Sequence, residues 1–332
     1  MTQTLMAKEA RQTPELMAQQ LVNNQTKCED IVNAIQAFQP EYVYIIGRGS
    51  SDHAGVFAKY LIEVELGIPV CSSAPSVFSV FDRTLNLSKA LVLVISQSGG
   101  SPDIIAQTKA ARQSGAMTVG IINVPNSPLS KELDAELSIG AGEENAVAAT
   151  KSYLLTLSAL AHMVACWNRD ETLLNNLKTL PDIMPQVFSL PSTIHPAHMA
   201  TIKHCVILGR GFGYAVSREM ALKMKEVLSV HAEAFSSAEF LHGPVTLTNS
   251  QLQTFSINVA DESEVLHQEI IKDVSCRGSV PIDLTTVLPG VHKRLSVLVS
   301  MLKFYINLEA AARALNKDPD NPPGLNKVTK TN

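Results

Sequence analysis

Leu91-Val92-Leu93-Val94-Ile95-Ser96-Gln97-Ser98-Gly99-Gly100-Ser101-Pro102-Asp103 joins a short apolar run to a turn of serines and glycines. The run has no polar alternation, which marks a strand buried on both faces of a parallel sheet. Pro102 suits the first turn of a helix and Ser101 its N-cap, so the pattern predicts a helix from Pro102 to Ser114. The turn between them therefore lies at the carboxyl end of a strand, where open parallel sheets bind ligands. Its glycines allow close backbone approach, the helix end presents free N–H groups, and three hydroxyls can donate to phosphate oxygens. A solvated strand-to-helix turn would have the same composition, so the turn alone leaves both readings open.

Upstream, Tyr42 to Ile46 reads as a strand ending at Gly47-Arg48-Gly49-Ser50-Ser51-Asp52, with a helix from about Ala54 to Leu66. This second turn adds hydroxyls at another strand end. Downstream, Thr118 to Asn123 reads as a third strand. The second half of the chain repeats the first. Cys205-Val206-Ile207-Leu208 leads into Gly209-Arg210-Gly211, and the displacement that sets Gly47 on Gly209 also sets Ser96 on Asn258 and the third strand near Val280 to Leu284. One shared offset across three strand ends indicates a duplicated domain. The hydroxyls are missing from the second copy, so the anion site belongs to the first. Asn175, Asn176, Pro181, Pro185, Pro191 and Pro196 mark the joint. By composition, the Pro-rich segment from Asn316 to Asn332 reads as a frayed tail.

The composition, 45% hydrophobic and 17% charged over 332 residues, is that of a globular chain of about two domains. A net charge of −4 with no basic stripe gives no reason to expect nucleic acid. The five scattered cysteines show no metal-ligand spacing and are expected as buried free thiols; no metal is expected. The N-terminus lacks the pattern of a signal peptide, and no apolar run is long enough for a membrane span, so the expected compartment is the cytoplasm. Neither glycine-rich turn completes GxGxxG, so no dinucleotide or other cofactor is expected.

Arg218 to Glu226 has strong helix formers throughout, and Glu219, Lys223 and Glu226 share one face of that helix. A solvent-facing ion-pair row would look the same. Ser236-Ser237-Ala238-Glu239 reads as a capping box opening a short helix. That helix leads to His242-Gly243-Pro244, a rigid turn holding an imidazole suited to proton transfer near neutrality.

Six segments in order carry a resemblance: GRGSSDHAG (47–55), SQSGGSPD (96–103), ENAVAATKS (144–152), ALKMKEVLSVHAEAF (221–235), EFLHGP (239–244) and PPGLNKVTKT (322–331). Together they resemble the sugar isomerase (SIS) domain family in its tandem form, above all the isomerase half of glucosamine-6-phosphate synthase and the related deaminases and deglycases. The resemblance implies an α/β fold of two SIS domains, each a flavodoxin-like parallel sheet flanked by helices. Their expected bounds are 1–170 and 171–316, with a tail at 317–332 that closes over the site. It also implies roles. Ser51, Ser96, Gln97, Ser98 and Ser101 would hold the sugar phosphate, beside Gly49 and Ser50. Glu226 would shuttle the proton between C1 and C2, and Lys223 and Glu219 would line the site near C2. His242 would assist ring opening from the neighbouring subunit, which implies a homodimer, and Lys327 would contact the sugar carbonyl.

Two departures stand out. Ala149 replaces a serine of the family, leaving Val147 and Ala148 to offer backbone only. No glutaminase domain with a cysteine near Met1 is present in this sequence, so ammonia release is the expected direction. The implied activity is glucosamine-6-phosphate deaminase. A deglycase of 6-phosphofructosamine conjugates or another aldose/ketose phosphosugar isomerase is the nearest alternative, and a non-catalytic sugar-phosphate sensor is the alternative of another class.

Overall fold

The computed structural model describes residues 3–249, 252–325 and 327. The chain folds into two compact units. Among the described residues, one comprises 13–144 and 151–181; the other comprises 3–12, 145–150, 182–249, 252–325 and 327.

The first of these holds a five-stranded parallel sheet. The long helix α1 (Leu5–Phe38), most of which belongs here, precedes β1 (Tyr42–Ile46), α2 (Ser50–Leu66), β2 (Val70–Ser72) and α3 (Pro75–Ser79). Then follow β3 (Ala90–Ser96), α4 (Pro102–Gln113), β4 (Met117–Ile122), β5 (Ala135–Ser138), α5 (Lys151–Asn168) and α6 (Glu171–Ile183). The strand order is β2-β1-β3-β4-β5, so the chain reverses its direction of travel between β1 and β3. Every residue of β3 and β4 is buried, which is why both read as unbroken apolar runs. α5 is buried along nearly its whole length and packs on α2.

The second unit holds a four-stranded parallel sheet. Its elements are α7 (Pro196–Met199), β6 (His204–Gly209), α8 (Phe212–Leu228), β7 (His231–Ser236), α9 (Ser237–Phe240), β8 (Gln253–Ile257), α10 (Glu264–Cys276), β9 (Ile282–Asp283) and α11 (Ser296–Ala314). The order is β7-β6-β8-β9. Strand and helix bounds fall within a few residues of the sequence-based ones, and parallel sheets flanked by helices are the architecture observed.

Two expectations need correction, and two alternative readings fall away. The Ser236–Glu239 capping box does not form: Ser236 is the N-cap of α9 but makes no side-chain capping bond. The cysteines are free, yet only Cys28 and Cys205 are buried; Cys166 is half-buried, and Cys71 and Cys276 are exposed. Glu219 and Lys223 are not a solvent-facing row but are buried. Nor is the C-terminal segment frayed where it is described. The Asp320 carboxylate accepts the N–H groups of Leu5 and Met6, both at 2.8 Å, and so caps α1. Residues 326 and 328–331 of the C-terminal motif lie outside the described residues.

At Gly209 the end of β6 meets the first turn of α8 so closely that a Cβ would stand 2.4 Å from the Gly213 carbonyl carbon. The obstacle is backbone and cannot rotate away. Gly209→Ala is expected to cost about 1–3 kcal/mol or more and to lower the midpoint of thermal unfolding. Gly100→Ala, whose Cβ would meet nothing nearer than 3.9 Å, is expected to leave the stability within about 0.5 kcal/mol of wild type and the midpoint nearly unmoved. Equal midpoints for the two variants would contradict this packing.

Candidate active site

β1 and β3 are adjacent, so the two hydroxyl-rich turns that follow them emerge side by side at the switch point of the first sheet. The sheet itself thus brings Ser51 and the Ser96–Ser101 turn to one place. The turn is tied from inside. Ser96 Oγ accepts the N–H of Gly99 at 3.0 Å, and Ser98 Oγ accepts that of Gly100 at 3.3 Å. Each hydroxyl uses a lone pair on the loop and keeps its own proton to donate. Gly99 has φ +59°, and a Cβ there would stand 2.2 Å from Ser127 Oγ, so only glycine fits. Ser101 is the N-cap residue of α4, with no side-chain capping bond. The side chains of Ser51, Gln97 and Ser101 hydrogen-bond to none of the described residues and are only partly buried.

Arg48 and Asp103 join this turn without having been foreseen. Arg48 donates from Nε (2.9 Å) and from a terminal nitrogen (2.7 Å) to Asp103 Oδ2, cross-linking the turn after β1 to the first turn of α4. The carboxylate is buried, with its side chain 1% exposed. Left unpaired, it would repel a phosphate at the α4 N-terminus; the guanidinium neutralises it there. Both residues stand inside the two turn motifs, but nothing in the sequence pairs them.

In the second unit, α8 presents the charged row. Lys223 Nζ lies 2.6 Å from Glu226 Oε2 and 3.4 Å from Glu219 Oε1. The Lys223 and Glu219 side chains are 2% and 0% exposed, whereas that of Glu226 is 20% exposed. Burial works against the Lys223 charge, but the two carboxylates outweigh it and hold the amine above its ordinary range. Tyr305 Oη, from the apolar α11, lies 3.5 Å from Glu219 Oε1, another contact that sequence reasoning missed because Tyr305 reads as core. Glu226 Oε1 hydrogen-bonds to none of the described residues, so one carboxylate oxygen is fixed and the other is open.

His242 is exposed in the turn after α9, and its imidazole hydrogen-bonds to none of the described residues. Lys327 donates to the Ala146 carbonyl at 2.6 Å, which brings it beside the Asn145–Thr150 segment. In that segment the Val147 N–H is already engaged with the Asp320 carbonyl at 2.9 Å, and Ala148 is fully buried. Gly49 and Ser50 form the entry to α2.

With this geometry in view, comparison with known proteins is specific. A family model described as the SIS domain matches residues 38–165. Glutamine–fructose-6-phosphate aminotransferase (isomerizing) from Thermus thermophilus is 28% identical over 97% of this chain, which spans 58% of that protein's length. A solved structure assigned as a phosphosugar isomerase from Silicibacter pomeroyi is 33% identical, with a TM-score of 0.88 over 96% of this chain and 100% of that one. Glucosamine-6-phosphate deaminase from Thermotoga maritima shares the fold, with a TM-score of 0.78 at 21% identity over 99% of this chain and 100% of that one. No helix among the described residues is long and apolar enough to cross a membrane. A serine- and glycine-rich turn at the switch point of the first sheet, a Glu–Lys–Glu row on α8 and a full-length match at this identity lead to one family: this chain belongs to the SIS-domain phosphosugar isomerases.

Proposed function

We propose that the chain is a cytoplasmic glucosamine-6-phosphate deaminase that converts glucosamine 6-phosphate and water to fructose 6-phosphate and ammonia. The observation that carries this reading is the Glu226 carboxylate, one oxygen pinned by the buried Lys223 ammonium and the other open. A carboxylate so held can take the proton from C2 and return it to C1 without drifting from the carbon chain. The phosphate is assigned to Ser51, Ser96, Gln97, Ser98 and Ser101. Lys223 and Glu219 stand behind Glu226, and Lys327 with the Val147–Ala148 segment is assigned to the sugar's carbonyl end. The exposed imidazole of His242, which hydrogen-bonds to none of the described residues, supports its use across a homodimer, where it would open the sugar ring.

The reading also treats the second sheet as a diverged SIS domain, with bounds of 1–170 and 171–316 and a closing tail at 317–332. The strand order β7-β6-β8-β9 repeats β2-β1-β3-β4, which supports it. So does the backbone at the two N-cap glycines: φ 54° and ψ −127° at Gly49, φ 55° and ψ −124° at Gly211.

A second reading, aldose–ketose isomerisation without loss of nitrogen, is favoured by the name of the Silicibacter pomeroyi protein and needs the same proton shuttle. A coupled assay separates the two. Deamination predicts equal amounts of ammonia and fructose 6-phosphate from glucosamine 6-phosphate. Interconversion of nitrogen-free phosphosugars with no ammonia from any amino sugar would replace it with the second reading.

The phosphate assignment has its own test. Ser98→Ala and Ser101→Ala are each expected to raise KM for the phosphosugar about tenfold, the loss of one hydrogen bond to a charged group. Unchanged KM values in both variants would remove the phosphate from this turn.

A further inference from the structure

Away from the acid–base row, three soft donors converge inside the first-sheet unit. His162 and Cys166 are one helical turn apart on α5, and Cys28 faces them from α1. One ring nitrogen and the two sulfurs all lie within 4.8 Å of one another. His162 is 1% exposed and Cys28 is 0% exposed, while Cys166 is half-buried and gives an approach from solvent.

The histidine is set for ligation. Its Nε2 lies 3.2 Å from Gln25 Oε1, and the Gln25 amide nitrogen in turn donates to Glu29. That chain makes Nε2 the donor and leaves Nδ1 with its lone pair. Nδ1 is buried and hydrogen-bonds to nothing among the described residues. A polar atom in that state is costly unless something fills its lone pair. A Gln25 bond on the far ring nitrogen is the arrangement that orients metal-bound histidines.

We propose that Cys28, His162 and Cys166 bind a soft divalent cation of the zinc type, stapling α1 to α5, with a fourth position left to water or a small ligand. Zinc bonds of about 2.3 Å to sulfur and about 2.0–2.1 Å to nitrogen give tetrahedral edges of roughly 3.5–3.8 Å, inside the 4.8 Å within which the three donor atoms already lie. Two thiolates also neutralise the ion in a buried place. Binding displaces the thiol protons of Cys28 and Cys166. A Cys28–Cys166 disulfide would use the two sulfurs but leave Nδ1 buried and unmatched; a cation satisfies all three atoms. The sequence carries no such signal, because Cys28 is remote from His162 and Cys166 and no CxxC is present.

The test uses the full chain, reduced and freed of metal with a chelator. Cobalt(II) is expected to bind one equivalent per chain with a thiolate-to-cobalt charge-transfer band and the visible spectrum of a tetrahedral site, and zinc is expected to displace it. Saturating zinc should raise the unfolding midpoint by about 5 °C or more. Cys28→Ser and His162→Gln should lose both effects; Cys71→Ser and Cys276→Ser, at exposed cysteines, should keep them. Zinc should also slow alkylation of Cys166 in the unmodified chain at least tenfold, a readout that needs no variant to fold. Absence of the charge-transfer band, its persistence in Cys28→Ser, or a chain that forms the disulfide on oxidation but binds no cobalt would each overturn the proposal.

Discussion

An ammonium group sealed between two carboxylates is the constraint on which this account rests. Lys223 cannot stay charged in the interior of its unit without Glu219 and Glu226, and neither carboxylate could stay near it uncompensated. The three are therefore locked as a set on one face of α8. The consequence is asymmetric. Glu219 is wholly buried and anchors the lysine, whereas Glu226 reaches the surface with one oxygen committed and one open.

The turn after β3 follows the same logic with hydroxyls in place of charges. Ser96 and Ser98 are fixed by accepting loop N–H groups, and Arg48 cancels the carboxylate that would otherwise disfavour an anion at the start of α4. The site is preorganised through hydrogen bonds that leave its proton donors unused. That would suit the proposed phosphate, because the donors are held by short links to the backbone and lose little freedom on binding.

Much of this was legible from residue order. The buried runs at Leu91–Ile95 and Thr118–Asn123 announced a parallel sheet because burial on both faces removes polar alternation. The i, i+4, i+7 spacing placed Glu219, Lys223 and Glu226 together, although helical spacing cannot say whether a charged face meets water or protein. That question is settled by what packs against α8, such as Tyr305 from α11. The partners that were missed are all distant in sequence: Arg48 with Asp103, Asp320 with the start of α1, and Cys28 with His162 and Cys166. Local patterns fix local geometry, and these pairs form only once the chain has folded back on itself. The capping box failed although its residues are local: α9 is a single turn of four residues, and its N-cap serine makes no side-chain bond.

The most direct test of the acid–base row compares Glu226→Gln with wild type, measuring glucosamine 6-phosphate binding by calorimetry and turnover on the same preparations. Glutamine keeps the shape and a hydrogen-bond acceptor for Lys223 but cannot take a proton. The account predicts binding within a few-fold of wild type and turnover lower by about 10²–10⁴. Turnover at the wild-type rate would contradict it and leave Glu226 as part of a structural ion-pair set.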